Sequence, residues 1–183
     1  GAAFLWQSGA YQTLPFSTGL DINDAGQIVG SNNSGPCFWS PSTGVINLPL
    51  LGAYTNDLAR SINNSAVCAG VSKGHAMLWY PLQGNAFQDL GLFNGASTEA
   101  WDVNDSGVVV GIYWPPTPDG SGKSFRWDAV NGFQDLENLL TPADQAMWTR
   151  LGVYGINNNG QIVGYAYLSS SPRPHAVILS PTP

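Results

Sequence analysis

The sequence predicts an all-β protein made of short repeated sheets, and three observations lead to this fold class. Hydrophobic residues make up 43% of the 183 residues, while charged residues make up only 10%. The chain also holds 22 Gly and 13 Pro, a composition that favours short strands joined by tight turns. A ten-residue segment recurs four times, and its first copies are 40 and 41 residues apart. A period near 40 is typical of the four-stranded blade of a β-propeller.

The recurring ten-residue segment predicts a turn followed by a buried strand. Its clearest copy runs from Asp21 to Gly30 as DINDAGQIVG, and the other copies are anchored at Ile62, Val103 and Ile156. An Asn or Asp side chain in the turn can bond the backbone two residues on, and glycine supplies the positive φ. Every copy ends in a glycine, which indicates a close backbone approach or a bulge. These glycines are Gly30, Gly70, Gly111 and Gly164.

Two further segments recur and supply the other strands of each repeat. The aromatic segment has five copies, at Phe4–Trp6, Cys37–Trp39, Met77–Trp79, Phe125–Trp127 and Val177–Leu179. The leucine segment has four copies, at Gln12–Leu14, Ile46–Leu48, Gln88–Leu90 and Gln134–Leu136. With the strands on either side of each Asn turn, the count is seventeen.

We therefore predict one domain over 1–183, a small β-propeller of four blades with four strands each, with five blades as the alternative. The predicted repeats cover 11–40, 45–80, 86–128 and 133–181, each beginning with its leucine strand. An extra N-terminal strand at 3–7 is left over. It latches the ring, belongs to a fifth blade, or pairs with a neighbouring molecule.

One short helix is predicted near 141–149, because Thr141 is a suitable cap and Pro142 a suitable first helical residue.

The repeats resemble the HAF family of bacterial extracellular repeat proteins. The resemblance rests on Ile22–Gly30, on His75–Trp79 and on Asp89–Gly91, and it covers nearly the whole chain. It implies a β-propeller-like repeat protein that is secreted or held at the cell surface. It implies no particular chemistry, because the family is defined by its repeats.

The charge pattern excludes several partners. The net charge is −6, and the six Lys and Arg residues are scattered, so no basic face for nucleic acid is expected. No apolar run approaches the roughly 20 residues of a membrane helix. Cys37 and Cys68 are either two small buried hydrophobes or a disulfide. Two cysteines and two distant histidines do not predict a metal site.

A column of variable residues is the best candidate for a binding face. Two residues before each anchor stand Leu20, Arg60, Trp101 and Tyr154, which differ in chemistry while their neighbours repeat. Trp114 and Trp148 also lie outside the repeated Trp positions. Aromatic rings of this kind suit the faces of sugars, and the competing interpretation is that they fill the core.

These patterns lead to one preferred function and two alternatives. We expect a non-catalytic extracellular module that binds a glycan or acts as a matrix scaffold. The first alternative is a structural subunit that self-assembles into filaments or arrays by donating its N-terminal strand. The second is a glycan hydrolase with two carboxylates that meet in space. No nucleophile motif, paired metal histidines or phosphate loop is present, so neither an enzyme nor a cofactor is predicted.

Overall fold

The computed structural model describes residues 3–52, 56–118 and 120–181. The chain is 54% strand in five antiparallel sheets, with one short α-helix, so the all-β prediction is confirmed. The structure divides into two compact units, Gly1–Leu90 and Gly91–Pro183, which are described separately below. The single domain over 1–183 stays a prediction.

The first unit holds a two-stranded sheet and two four-stranded sheets. The two-stranded sheet pairs β1 (Phe4–Gln7) with β2 (Ala10–Thr13). The next sheet consists of β3 (Thr18–Ile22), β4 (Ile28–Asn32), β5 (Gly35–Ser40) and β6 (Gly44–Asn47). The third sheet consists of β7 (Leu58–Ile62), β8 (Cys68–Ser72), β9 (His75–Tyr80) and β10 (Ala86–Gly91).

The second unit holds one four-stranded and one three-stranded sheet. The four-stranded sheet consists of β11 (Thr98–Val103), β12 (Val109–Tyr113), β13 (Lys123–Asp128) and β14 (Gly132–Asp135). The three-stranded sheet consists of β15 (Trp148–Ile156), β16 (Ile162–Leu168) and β17 (Pro174–Leu179). A 3₁₀ helix (Leu136–Leu139) and α1 (Pro142–Met147) connect the two sheets. Thr141 accepts a hydrogen bond from Asp144 N at the start of α1, so the predicted cap and helix are confirmed.

The seventeen predicted strands are present in the described residues, but their grouping into sheets differs from the predicted repeats. Each leucine strand pairs with the aromatic strand before it, not with the Asn-turn strand after it. The reason is local: β5 and β6 are joined by a tight turn, whereas 48–57 separate β6 from β7. Each four-stranded sheet therefore begins at the strand before an Asn turn and ends at a leucine strand. The predicted repeats 11–40, 45–80, 86–128 and 133–181, which begin at leucine strands, do not coincide with these sheets. The extra strand at 3–7 is not left alone either, because β1 pairs with β2.

The predicted Asn turns are confirmed in all four copies. In the first copy, Asn23 Oδ1 accepts hydrogen bonds from Ala25 N and Gln27 N, and Gly26 has a φ of 71°. The same side-chain acceptor recurs at Asn63, Asn104 and Asn157.

The glycines that end these segments are required by a close backbone approach, as predicted. A Cβ on Gly30 would lie 1.8 Å from the carbonyl oxygen of Thr18 on the neighbouring strand. The equivalent distances for the other three copies are 1.9 to 2.0 Å, at Gly70, Gly111 and Gly164. The opposing strand is irregular at this point in every copy, between Gly19 and Asp21 in the first.

We call the two faces of each sheet front and back, and define them by the residues of β4 and β5 and their equivalents in the other sheets. The front face carries Ile28, Cys37 and Trp39, and the back face carries Val29 and Phe38. The front face contacts Leu5 of the two-stranded sheet, and the back face packs against the sheet that follows. The following sheet contributes Cys68, Met77 and Trp79 from its own front face, together with Ala59, Ile62 and Ala66.

The second unit follows the same packing rule. Val110, on the back face of the β11–β14 sheet, packs with Ile162, Val177 and Leu179 on the front face of the β15–β17 sheet. Back face on front face is thus the packing between consecutive sheets in both units.

A set of side-chain bridges joins consecutive sheets beside these cores. In the first unit, Asp21 Oδ2 accepts a hydrogen bond from Ile62 N at 2.8 Å, and Asn64 Nδ2 donates to Asp24 Oδ2 at 2.9 Å. The second unit repeats both bridges with Asp102 and Ile156 at 2.7 Å, and with Asn158 and Asp105 at 2.7 Å. The bridges to Ile62 N and Ile156 N are partly buried, so Asp21 and Asp102 satisfy donors that packing takes away from water, whereas the bridges of Asp24 and Asp105 are exposed.

The two cysteines do not form the disulfide that the sequence left open. Cys37 and Cys68 are free, buried thiols on the front faces of two different sheets. Burial raises the pKa of the Cys37 thiol to about 11 and also raises the pKa of Cys68. They fill the core as small hydrophobes.

Within the described ranges, no helix combines the length and apolar character that a membrane crossing requires.

Candidate functional site

The variable column of the sequence is a column of β-bulges. Leu20, Arg60, Trp101 and Tyr154 are in each case the residue at which the pairing between the first two strands of a sheet shifts register. A bulged residue is left out of the ladder and re-aims its side chain, and bulges are frequent beside binding sites. Because the side chain of a bulge is not part of the repeated ladder, its chemistry can vary without cost to the sheet.

In the second unit, two of these bulge residues meet. The rings of Trp101 and Tyr154 stack with their centroids 5.6 Å apart and their planes at 28°. Tyr154 also contacts Tyr165, whose ring centroid is 5.6 Å away, and Tyr165 contacts Tyr167 at 5.9 Å. We call these four residues the aromatic cluster. Tyr154 is exposed, and the other three are partly buried, so the rings are held in place but remain accessible.

The backbone beside the aromatic cluster is shaped to hold it. A Cβ on Gly152 would lie 2.3 Å from the ring of Tyr165, so the glycine makes room for that ring to lie flat on β15. Arg150 places its guanidinium 5.5 Å from the centroid of the Tyr167 ring. Arg150 has a φ of 51°, which is a strained conformation for a non-glycine residue inside a strand. Strain of this kind persists only where the surroundings impose it, and it is concentrated at functional sites.

Three members of this site were not predicted from the sequence: Arg150, Tyr165 and Tyr167. A signal for the two tyrosines was present in the last repeat. After Gly164 the chain reads Tyr-Ala-Tyr, and strand alternation places both rings on one face. Nothing in the sequence shows that Arg150 reaches Tyr167, because that contact depends on the irregular pairing between Thr149 and Gly152.

The remaining predicted site residues are separate from the aromatic cluster. Trp148 lies on the wall of a groove of about 800 Å³ that also includes Leu136, Leu140 and Val177. Trp114 is exposed, and its Nε1 lies 3.2 Å from where a Cβ on Gly122 would be. Arg60 is a partly buried bulge residue of the first unit. The predicted set therefore holds one pair that comes together, Trp101 with Tyr154.

Ionisable groups also converge at one place in the second unit. Lys123 Nζ lies 3.3 Å from Asp135 Oδ2 and 2.6 Å from Glu137 Oε2, and Tyr113 donates to Asp135 Oδ2 at 2.7 Å. Burial raises the pKa of Tyr113, and its hydrogen bond to Asp135 raises it further. Lys123 is ion-paired with both carboxylates, so this network is an ion-paired joint between β12, β13, β14 and the 3₁₀ helix. Among the residues that the structure describes, no three His, Cys, Asp or Glu side chains are grouped as metal ligands.

Comparison with known proteins gives one match. The model of a family described as a protein of unknown function (DUF3466) matches residues 85–179, a little over half of the chain. No curated protein and no solved structure matches the chain.

Proposed function

The chain belongs to the DUF3466 family, whose function is unknown, and we propose that it is a non-catalytic module that binds glycans through the aromatic cluster. The observation that carries this proposal is the run of contacting rings from Trp101 through Tyr154 and Tyr165 to Tyr167, with Tyr154 exposed. The C–H faces of sugars stack on aromatic rings, while phenol and guanidinium groups can bind the hydroxyls around each ring.

The geometry of the cluster favours an extended ligand. Its four rings follow one another at 5.6 to 5.9 Å, so together they form a strip and not a closed pocket. Arg150 lies beside Tyr167 at the end of the strip, where its fork of N–H groups can donate to hydroxyl or carboxylate oxygens. A strip of this kind suits a polysaccharide chain better than a single small sugar, which would need a concave site.

The proposal extends to architecture and location. We propose that the sheets are blades of a small β-propeller, supported by the period near 40 and by the back-on-front packing of consecutive sheets. The resemblance to HAF repeats supports a secreted or cell-surface protein that acts on or within extracellular polymer. Nothing in the ion-paired network of Lys123 favours a hydrolase over a binding module.

The first test is affinity electrophoresis of the whole chain through gels that contain soluble neutral and uronic-acid polysaccharides. The wild-type protein should be retarded by at least one polymer. Replacement Tyr154→Ala should weaken that binding about tenfold, because one stacked ring at the centre of the strip is lost. Tyr154→Phe should keep most of it, because the ring remains.

The matched control is Leu20→Ala, which truncates the exposed bulge residue at the equivalent position of the first unit. It should migrate as the wild type does in every gel. Retardation that is equally strong for wild type and Tyr154→Ala would contradict the proposal, and so would a polysaccharide panel that retards neither.

A further inference from the structure

The contact between Arg150 and Tyr167 lies on an extension of the β15–β17 sheet. β15 has nine residues and β16 has seven, whereas the first two strands of the four-stranded sheets have five or six. The extension pairs Thr149 with Tyr167 and Trp148 with Leu168. The rings of the aromatic cluster thus continue onto a part of the sheet that lies beyond the length of the repeated ladder.

The position of Tyr167 stays accessible in sheets that are followed by another sheet. Tyr167 is the third residue after Gly164, and the third residue after the crowded glycine of the other sheets is Asn33, Lys73 or Trp114. All three are exposed, although the back faces of the β3–β6 and β11–β14 sheets pack against the sheet that follows. Packing of sheet on sheet therefore leaves this position open, whatever lies against the back face of the β15–β17 sheet.

A bulge in β15 places Arg150 in solvent beside this ring. Arg150 and Leu151 together stand opposite the single residue Ala166. Leu151 is buried in the core, and its carbonyl oxygen accepts a hydrogen bond from Ser124 Oγ at 2.7 Å. Because these contacts hold Leu151 inward, Arg150 adopts its φ of 51° and lies exposed, with its guanidinium over the ring of Tyr167. The cation is thus positioned before any ligand binds.

The charge of Arg150 is available to a ligand. Within the described residues Arg150 forms no ion pair with a carboxylate, whereas Lys123 is paired with Glu137 and Arg126 with Asp128. The net charge of the chain is −6, so an exposed cation without a counter-charge is a local exception. Arginine can bind a carboxylate through two parallel N–H···O bonds, which are stronger than hydrogen bonds between neutral groups.

A second exposed arginine stands at the same end of the sheet. Arg173 directly precedes Pro174, and Pro174 pairs with Tyr167. We call Arg150, Tyr167 and Arg173 the basic rim of the aromatic cluster. A ring flanked by arginines matches a sugar that carries a carboxylate, because the C–H face of the sugar stacks on the ring and the carboxylate accepts from a guanidinium.

We propose that the basic rim makes the aromatic cluster selective for polyuronates, the polysaccharides whose sugars carry a carboxylate. This inference rests on the glycan-binding function proposed above and adds a ligand class to it. Arg150 sets the selectivity, because it is fixed over Tyr167 and carries no internal counter-charge among the described residues. A neutral sugar of the same backbone can stack on Tyr167 but offers the guanidinium no charge, so it binds more weakly.

Isothermal titration calorimetry of the whole chain with paired ligands tests the proposal. The ligands are oligomers of galacturonate, glucuronate and mannuronate, each compared with its own methyl ester, which keeps the backbone and removes the charge. At an ionic strength of about 0.15 M, long-range attraction is largely screened. The wild type should then bind at least one oligouronate about tenfold more tightly than its ester.

Variants at Arg150 assign the selectivity to that residue. Arg150→Asn should weaken oligouronate binding about tenfold and leave ester binding unchanged. Asn tolerates a positive φ, so this variant keeps the bulge. Arg150→Lys should retain part of the preference, because it keeps the charge but loses the planar fork. Lys73→Asn is the matched control: it removes an exposed positive charge at a φ of 54° in the first unit, and it should behave as the wild type does.

The results separate this inference from the glycan-binding function itself. Equal wild-type affinity for each oligouronate and its ester, with both weakened in Tyr154→Ala, would refute the selectivity and leave glycan binding intact. Equal losses of both ligands in Arg150→Asn would mean that the arginine supports the shape of the site and does not read charge. Binding to no oligouronate, together with retardation by neutral polysaccharides in the gels, would also refute the selectivity alone. Failure of both experiments would refute the two proposals together.

Discussion

The two units use the same bridges between sheets but present different side chains at their bulges. Asp21 binds Ile62 N in the first unit as Asp102 binds Ile156 N in the second, at nearly the same distance. The bulge residues next to these bridges are an aliphatic and a cationic side chain in the first unit, and two stacked aromatic rings in the second. The polar contacts thus recur in both units, while the bulge residues, which stand outside the ladder, differ in chemistry and supply Trp101 and Tyr154 of the proposed glycan site.

The largest expected effects are losses of stability when the equivalent crowded glycine of each unit is replaced. Gly30→Ala and Gly164→Ala each force a methyl group to within about 2 Å of a backbone carbonyl oxygen that cannot move without breaking its sheet. Each variant should lose about 3 kcal/mol of unfolding free energy or fail to accumulate. Urea unfolding measures the loss.

The control for these variants is the glycine directly opposite Gly30. Gly19 pairs with Gly30, has no positive φ, and a Cβ there would meet Ile28 at an ordinary 3.6 Å. Gly19→Ala should therefore be neutral or slightly stabilising. Similar losses at Gly19 and Gly30 would show that the close approach is not what requires Gly30.

The next effects test the shared bridges. Asp21→Ala and Asp102→Ala each leave a backbone N–H of the neighbouring sheet without this acceptor, at Ile62 and at Ile156. Each should cost about 2 kcal/mol of unfolding free energy. Asp24→Ala is the matched control: it removes an exposed bridge from the same turn and should cost less than about 1 kcal/mol. Equal losses for Asp21→Ala and Asp24→Ala would mean that the bridge to Ile62 has no special role.

The sequence predicted most of the strands but only part of the site, for reasons that are physical. Turn chemistry and strand alternation are local properties of the sequence. They therefore predicted the Asn23 turn, the α1 cap at Thr141 and the close backbone approach at Gly30. The grouping of strands into sheets depends on which of two connections is tighter. The short link from β5 to β6 and the longer link from β6 to β7 are visible in the sequence, but the predicted repeats began at the leucine strand and did not use this difference. The ring of Tyr165 over Gly152 depends on strand register, which a bulge shifts.

The smallest expected effect is a difference between the two units in how the stability of one turn depends on pH. The turn that follows the aromatic strand is held by Ser40 in the first unit, whose Oγ accepts from Thr43 N. In the second unit the same position is Asp128. Its carboxylate accepts from the backbone N–H groups of Val130 and Asn131 and from the Arg126 guanidinium. Partial burial acts to raise the pKa of Asp128, but the hydrogen bonds from Asn131, Val130 and Arg126 outweigh it and lower the pKa to about 2.

A carboxylate whose pKa is lower in the folded chain than in the unfolded chain stabilises the fold above the unfolded value, near 3.8, and loses that contribution as the pH falls toward 2. Asp128→Asn should therefore cost about 1 kcal/mol at pH 7 and almost nothing at pH 2. Ser40→Ala should cost a similar amount at both pH values, because a hydroxyl does not titrate there. Urea unfolding at the two pH values measures both differences. A constant cost for Asp128→Asn would mean that the charge on Asp128 does not hold its turn, and that both units close this hairpin with neutral hydrogen bonds alone.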